Sequence, residues 1–224
     1  MGEAAEVEIA GERLLLLPER AAFWPRQRTL LLADTHWGKA AAFRAAGFPV
    51  PEATTGDGLL RLGRLVERLD PERILYLGDY LHAAEGRTDA TFNALREWGD
   101  AHSEVEQLLV RGNHDRGAGD PPAELNVSCV EAPFEMSPFS MRHFPSRDGA
   151  AHVLAGHLHP AARMTGQGRQ RERLPCFWLQ ERCTVLPAFG AFTGSADISP
   201  SSGDRVFAIA GDSVMEVAIS RELR

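Results

Sequence analysis

Two carboxylates, one amide oxygen and four imidazoles, besides His114 and Asp115, recur along this chain in short polar clusters, each following or sitting close to an apolar run. In order they are Asp34-Thr35-His36, Gly78-Asp79, Gly112-Asn113-His114-Asp115, the lone His143, and Gly156-His157-Leu158-His159. Imidazole and carboxylate together suit Mn, Fe and Zn. If one Asp bridges, this donor set is enough for two ions. A pair of ions held ~3.5–4 Å apart is a recurring device for hydrolysing phosphate esters. A DxH or a GD alone is common by chance; all five clusters in this order are a strong signal.

Asp34 and His36 are two apart, so an extended strand end points both side chains one way and Thr35 the other. Gly78 permits a sharp turn, and Asp79 has two oxygens to offer, one per ion. Asn113 adds a neutral oxygen, which limits negative charge beside an anionic substrate. His157 and His159 repeat the i, i+2 spacing, and Pro160 fixes the chain beyond them. His114 is the candidate proton donor to the leaving oxygen, with Asp115 beside it to favour the imidazolium and orient the ring. The competing role for His114 is a further metal ligand. His102 and His152 fall outside the clusters and read as structural.

The elements that must carry these residues follow from apolar periodicity. Residues 7–9 and 13–17 read as an opening hairpin around Gly11. Residues 29–33, 73–77 and 106–110 are short apolar strands that deliver Asp34, Asp79 and Asn113-His114 at their carboxyl ends. Helices are expected over 37–46, 57–69 and 89–98, the second from leucines at 59, 62, 65 and 69. Open α/β sheets place their chemistry at the carboxyl ends of strands. After about residue 125 the pattern becomes strand-rich, with strands expected at 126–130, 140–143, 152–155, 176–179, 206–210 and 214–219. Glycine-containing turns between them suit a mainly antiparallel second half. The expected fold is α/β (α+β): two mixed β-sheets packed as a sandwich flanked by helices, with residues 1–224 as a single domain.

A chain of 224 residues with 44% apolar content can bury a deep core and is too apolar for a disordered protein. The acidic start lacks the basic region of a signal peptide, and no apolar run approaches the ~20 residues that span a bilayer. A cytoplasmic, membrane-free protein is expected. Cys129, Cys176 and Cys183 form no CxxC and cannot all pair, so buried reduced thiols are the default. The net charge of −7 argues against a broad basic surface for nucleic acid. Two bound divalent ions would offset part of that charge where a phosphate arrives. Arginines also cluster, at Arg26 and Arg28, Arg111 and Arg116, and Arg163, Arg169, Arg171 and Arg173.

The ordered set DxH, GD, GNHD, H, GHxH resembles the calcineurin-like metallophosphoesterase superfamily over residues 29–159. That resemblance implies Asp34, His36, Asp79 and His159 on one metal. It implies Asp79, Asn113, His143 and His157 on the other, with His114 as the acid. Residues 14–24 (LLLLPERAAFW), 36–51 (HWGKAAAFRAAGFPVP) and 174–194 (LPCFWLQERCTVLPAFGAFTG) are similar to the bacterial ligase-associated DNA damage response metallophosphoesterases. Members of that group are described as DNA endonucleases or phosphodiesterases encoded beside an ATP-dependent DNA ligase, a helicase and a second nuclease. His82, three after Asp79, resembles a histidine that helps handle DNA in the superfamily's double-strand-break nuclease. Its plainer role is a helix-start surface histidine.

The expected function is therefore a Mn²⁺-dependent phosphodiesterase on DNA, with Fe or Zn as other fitting ions. Water whose pKa two cations lower attacks phosphorus in line, and Lys39 or Arg116 takes up developing charge. Two other readings stay open: the same chemistry on cyclic nucleotides or phosphomonoesters, and a non-catalytic module that recruits repair partners. The full ligand set speaks against the last, since such a module could lose ligands without cost.

Overall fold

A computed structural model describes residues 2–50, 54–165, 171–191 and 193–218. The first sheet takes its strands in chain order: β1 (Ala5–Ile9), β2 (Glu12–Leu17), β3 (Ala21–Trp24), β4 (Thr29–Leu32), β5 (Arg73–Tyr76), β6 (Glu106–Val110) and β7 (Val127–Val130). From β1 to β4 the pairs are antiparallel hairpins. From β4 to β7 they are parallel, so each connection must cross over the sheet, and α2 (Thr54–Leu69) and α3 (Asp89–Ala101) lie in the first two. The short α1 (Lys39–Ala45) precedes α2 in the first crossover, and α4 (Asn113–Ala118) follows β6.

All four residues of β4 are buried because both faces of the sheet are covered. Leu31 faces the second sheet, while Leu30 and Leu32 pack with Leu59, Leu62 and Leu65 of α2 and Leu95 of α3. Leu59, Leu62, Leu65 and Val66 thus form the stripe that holds α2 down, and Thr88 caps α3 by accepting from the Thr91 N–H.

The second sheet runs in the order β14 (Ala196–Asp197), β11 (Pro160–Thr165), β12 (Arg171–Leu179), β13 (Cys183–Val185), β10 (His152–Ala155), β9 (Phe139–Met141) and β8 (Phe134–Met136). β15 (Arg205–Ala210) and β16 (Ser213–Val217) branch from β12. It is mixed: β9, β10 and β13 are parallel neighbours, and the hairpins are antiparallel. The space between the sheets holds one apolar cluster drawn from both halves of the chain, including Trp24, Leu75, Phe139, Leu154, Phe177 and Phe207. Trp24 and Phe139 meet edge to face across it, with ring centroids 4.9 Å apart. The expected two-sheet sandwich with flanking helices is the fold observed.

Several boundaries differ from the sequence expectation. Trp37 is buried and paired with Leu81 as an isolated bridge, and α1 starts only after Gly38. The strand expected at 140–143 ends at Met141, which leaves His143 beyond it. β3 and β11 had no counterpart in the sequence reading. The expected strand end beyond residue 218 lies outside the described residues.

Candidate metal centre

The carboxyl edge of β4, β5 and β6 brings the first three clusters together. Pairing continues past the strand ends: the His36 and Trp37 N–H groups donate to the Asp79 and Tyr80 carbonyls at 2.9 and 2.8 Å. His143 comes from the segment after β9, and His157 and His159 from the turn after β10. The backbone there is unlike the extended strand end expected from the i, i+2 spacing. Asp34, His36, Asp79, His157 and His159 have φ of 53°, 48°, 53°, 71° and 47°, the left-handed region that non-glycine residues avoid. Each such residue costs ~1–3 kcal/mol, a strain that characteristically gathers at functional sites. Thr35 does turn away, donating from Oγ1 to the Tyr80 carbonyl at 3.1 Å.

Close approach explains two of the motif glycines. A Cβ on Gly112 would lie 2.2 Å from Asp79 Oδ1, and one on Gly156 would lie 2.6 Å from Asp34 Oδ2. Each glycine leaves the space that a carboxylate from another cluster occupies.

Two donor groups result, each with its atoms within 4.8 Å of one another: Asp34, His36 and His159, and Asp79, His143 and His157. Asp79 lies between them, with Oδ1 3.4 Å from His143 Nε2 and Oδ2 4.0 Å from His36 Nε2. Asn113 Oδ1 is 2.9 Å from His143 Nε2. All seven candidate ligands are therefore in one cluster.

Hydrogen bonding prepares these side chains for cations. His143 Nδ1 donates to the Leu77 carbonyl at 3.0 Å, and His159 Nδ1 to the Gly194 carbonyl at 2.9 Å. That tautomer leaves each Nε2 with a lone pair facing oxygens: Asn113 Oδ1 and Asp79 Oδ1 for His143, and Asp34 Oδ1 at 3.4 Å for His159. Asp34 Oδ1 is itself buried without a hydrogen bond. His157 Nδ1 also lies 3.1 Å from His143 Nε2, and this convergence of acceptors around an orphaned buried carboxylate oxygen fits cations.

Titration follows the same logic. Burial, then the nearby Lys39 and histidines, hold His36 far below the usual imidazole value, and burial with His143 lowers His157. Both are thus neutral imidazoles near pH 7, the form a metal ligand needs. Burial acts against the charge on His159 too, but the contact with Asp34 outweighs it and its value is raised. Burial raises Asp79, against the opposing pull of His143 and the His114 N–H.

His114 sits at the mouth of this cluster, with Nε2 3.9 Å from Asp79 Oδ2. Its Nδ1 lies 2.6 Å from the His82 carbonyl, and its ring stacks on that of His82 at 5.0 Å. The His82 carbonyl, not the neighbouring carboxylate, therefore orients the ring. Asp115 does a different job: it accepts from the N–H groups of Asp79, Tyr80, Leu81 and Gly112 at 2.8–3.3 Å. It clamps the loop after β5 to the start of α4, and so sets Asp79 against Asn113.

His82 is half-buried and precedes no helix directly; burial, then Lys39 and His114, bring it down to about 4. It forms a third close group with His36 and His114. Lys39 opens α1 and lines a small pocket of about 20 Å³ beside His36 and Phe43. Burial lowers its pKa, opposed by Asp34 and Asp79. Arg116, by contrast, is exposed and pairs with Glu131 at 3.3 Å. His102 stacks on Trp98 and His152 bonds Thr184 Oγ1, both structural roles as expected. Cys176 and Cys183 are buried thiols, while Cys129 is half-exposed; all three are free.

Sequence reading missed two features of the rim. Phe144 is 49% exposed with its ring 4.5 Å from that of His157, and Leu158 is 37% exposed beside it. The segment after β13 was also overlooked: the Phe189 and Gly190 N–H groups donate to the Ala33 and Asp34 carbonyls at 2.8 and 3.1 Å. A lone aromatic after a histidine carries no periodic signal, and the Gly190 contact is long-range.

This fold and donor set define a class. The chain belongs to the calcineurin-like phosphoesterases, whose family model matches residues 27–146, and it is a metal-dependent hydrolase of phosphoester bonds. Among solved structures it is similar to the Pseudomonas putida nuclease MPE, at 40% identity and a TM-score of 0.85 over 96% of this chain and 100% of that one. YfcE, a phosphoesterase from E. coli, aligns at 13% identity and a TM-score of 0.43 over 86% of this chain and 99% of that one. Among curated proteins, none matches the chain.

Proposed function

We propose that this chain is a dinuclear-metal phosphodiesterase acting on nucleic acid, a Mn²⁺-dependent DNA endonuclease or phosphodiesterase of DNA repair. The observation that carries the reading is the 40% identity to a nuclease along nearly the whole of both chains, with the two donor groups joined by Asp79. Asp34, His36, Asp79 and His159 would hold one ion, and Asp79, Asn113, His143 and His157 the other. Bound there, the ions would supply Lewis-acid charge to the phosphoryl oxygens and lower the pKa of water.

The chain's own residues do the rest. The His82 carbonyl holds the His114 ring so that Nε2 faces the ligand cluster, where it donates a proton to the leaving 3′- or 5′-oxygen. Lys39, tied electrostatically to Asp34 and Asp79, adds positive charge at the side where the pocket opens. Asp115 keeps the loop after β5 from shifting, which fixes both oxygens of Asp79. A cytoplasmic location and a functional link to an ATP-dependent DNA ligase, a helicase and a second nuclease rest on the motif resemblance. Among the described residues no helix is long and apolar enough to cross a membrane.

A small-substrate phosphodiesterase or phosphatase is the second reading, favoured by the net charge of −7. One panel separates the two. Stripped protein titrated with Mn²⁺ is offered plasmid, single-stranded DNA, a 2′,3′-cyclic nucleotide and a chromogenic bis-ester. Activity should return with Mn²⁺ and poorly with Mg²⁺, which prefers all-oxygen shells and dehydrates reluctantly. DNA should be cut, single strands best. Trivial DNA cleavage beside fast cyclic-nucleotide hydrolysis would hand the assignment to the second reading.

A further inference from the structure

The carboxyl edge of the first sheet holds a second concentration of charge that the metal centre does not use. Leu17 of β2 pairs with Ala21 of β3, and Ala22 pairs with Leu31 of β4. The turn at residues 18–20 therefore emerges at the edge where β4 releases Asp34. It walls a groove of about 540 Å³, faced by Arg61 of α2 and by Leu174 and Pro175 of β12. That volume is in the range of small-molecule sites.

Two guanidinium groups share this groove with little to neutralise them. Arg20 is half-buried, and its guanidinium has no hydrogen-bond or ion-pair partner among the described residues. Burial lowers its pKa, and its φ of 66° is a conformation that glycine adopts more cheaply. Arg61 donates to the Phe189 carbonyl and lies 4.1 Å over the Phe189 ring, but its Nε is buried without a partner. Burial and then Arg20 bring it down to about 10, against the pull of Glu19 and Asp57. Glu19, the nearest acid, is engaged through Oε1 by Arg68 at 2.8 Å, and its Oε2 is buried and unpartnered. Asp212 stands on the exposed rim. Several other surface arginines have acidic partners: Arg163 and Arg173 pair with Asp197, Arg28 with Asp70, and Arg111 with Asp120.

Half-buried like charges held together with no carboxylate directly paired to either cost free energy that an anion between them would offset. Guanidinium groups match phosphate oxygens in geometry as well as charge. The groove also adjoins the metal centre, because the segment that Arg61 grips at Phe189 continues into Gly190, which bonds the Asp34 carbonyl.

We propose that this groove is a phosphate-group subsite in which Arg20 and Arg61 hold a phosphate beyond the one being hydrolysed. The source is the backbone of a nucleic acid strand lying along the sheet edge, or a small phosphorylated ligand. The strand assignment rests on the function proposed above; the affinity for phosphate does not.

Arg20→Gly and Arg20→Glu test it in the full-length, metal-loaded protein. Glycine suits the backbone at residue 20, so melting temperature should not fall and metal content should be unchanged. Hydrolysis of a chromogenic bis-ester, too small to reach the groove, should match the parent. On a single-stranded oligonucleotide, Arg20→Gly should raise KM about 5–10-fold at constant kcat and reduce the slope of log K against log[salt] by ~0.7. Arg20→Glu should do more. In a thermal-shift titration, sulfate, a phosphate-shaped anion, should stabilise the parent more than either variant. If parent and variants respond alike to sulfate and share the same oligonucleotide KM and salt slope, the subsite does not exist. If sulfate distinguishes them while the parent neither binds nor cuts oligonucleotides, the subsite stands for a small phosphorylated ligand and the nucleic-acid function alone falls.

Discussion

Asp79→Asn should lower turnover by ~10³-fold or more, equivalent to ~4 kcal/mol of barrier. Asparagine keeps the shape of Asp79 and can still accept the His114 N–H at 2.9 Å through its oxygen, so the loop should survive. What it loses is the negative charge and one of the two oxygens that face His143 on one side and His36 on the other. Asn113→Ala, which removes a neutral donor from one side only, should cost less. The comparison is read from initial rates on a bis-ester with metal content measured in parallel. Near-normal turnover in Asp79→Asn with two ions still bound would remove Asp79 from the bridging position.

His114→Ala carries the other large effect, and its signature is selectivity for the leaving group. The variant should bind metal normally, since His114 belongs to neither donor group assigned to the ions. On substrates with poor leaving groups it should lose ~10²–10⁴-fold, the usual scale of general acid catalysis. A nitrophenyl ester, whose leaving group departs unprotonated, should suffer much less. Equal losses on both substrates would make His114 a ligand or a positioning group.

The ligands were legible in the sequence because each ends or follows an apolar strand, and strand ends converge at one edge of a parallel sheet. Leu30, Leu31 and Leu32 announced β4, and Asp34 followed. The local backbone was not legible: five of the ligands take left-handed φ, a choice imposed by contacts between clusters far apart in sequence. Asp115 shows the same limit. Beside His114 in sequence it suggests an orienting carboxylate, yet three of its four N–H partners lie about 35 residues earlier, which no spacing rule reveals. Nor did spacing reveal that Arg116 faces Glu131 across the surface. β11, with Pro160, Ala161 and Ala162 at its start, lacks the alternation that marks a strand and was missed for that reason.

The most direct test of a two-ion centre is the stoichiometry of Mn²⁺ bound at equilibrium, followed alongside cleavage of single-stranded DNA as stripped protein is reloaded. Two ions per chain should bind, with cleavage appearing only as the second site fills, because Asp79 would hold both ions beside His114. Full cleavage with one ion per chain, or in Mg²⁺ alone after verified stripping, would contradict the account.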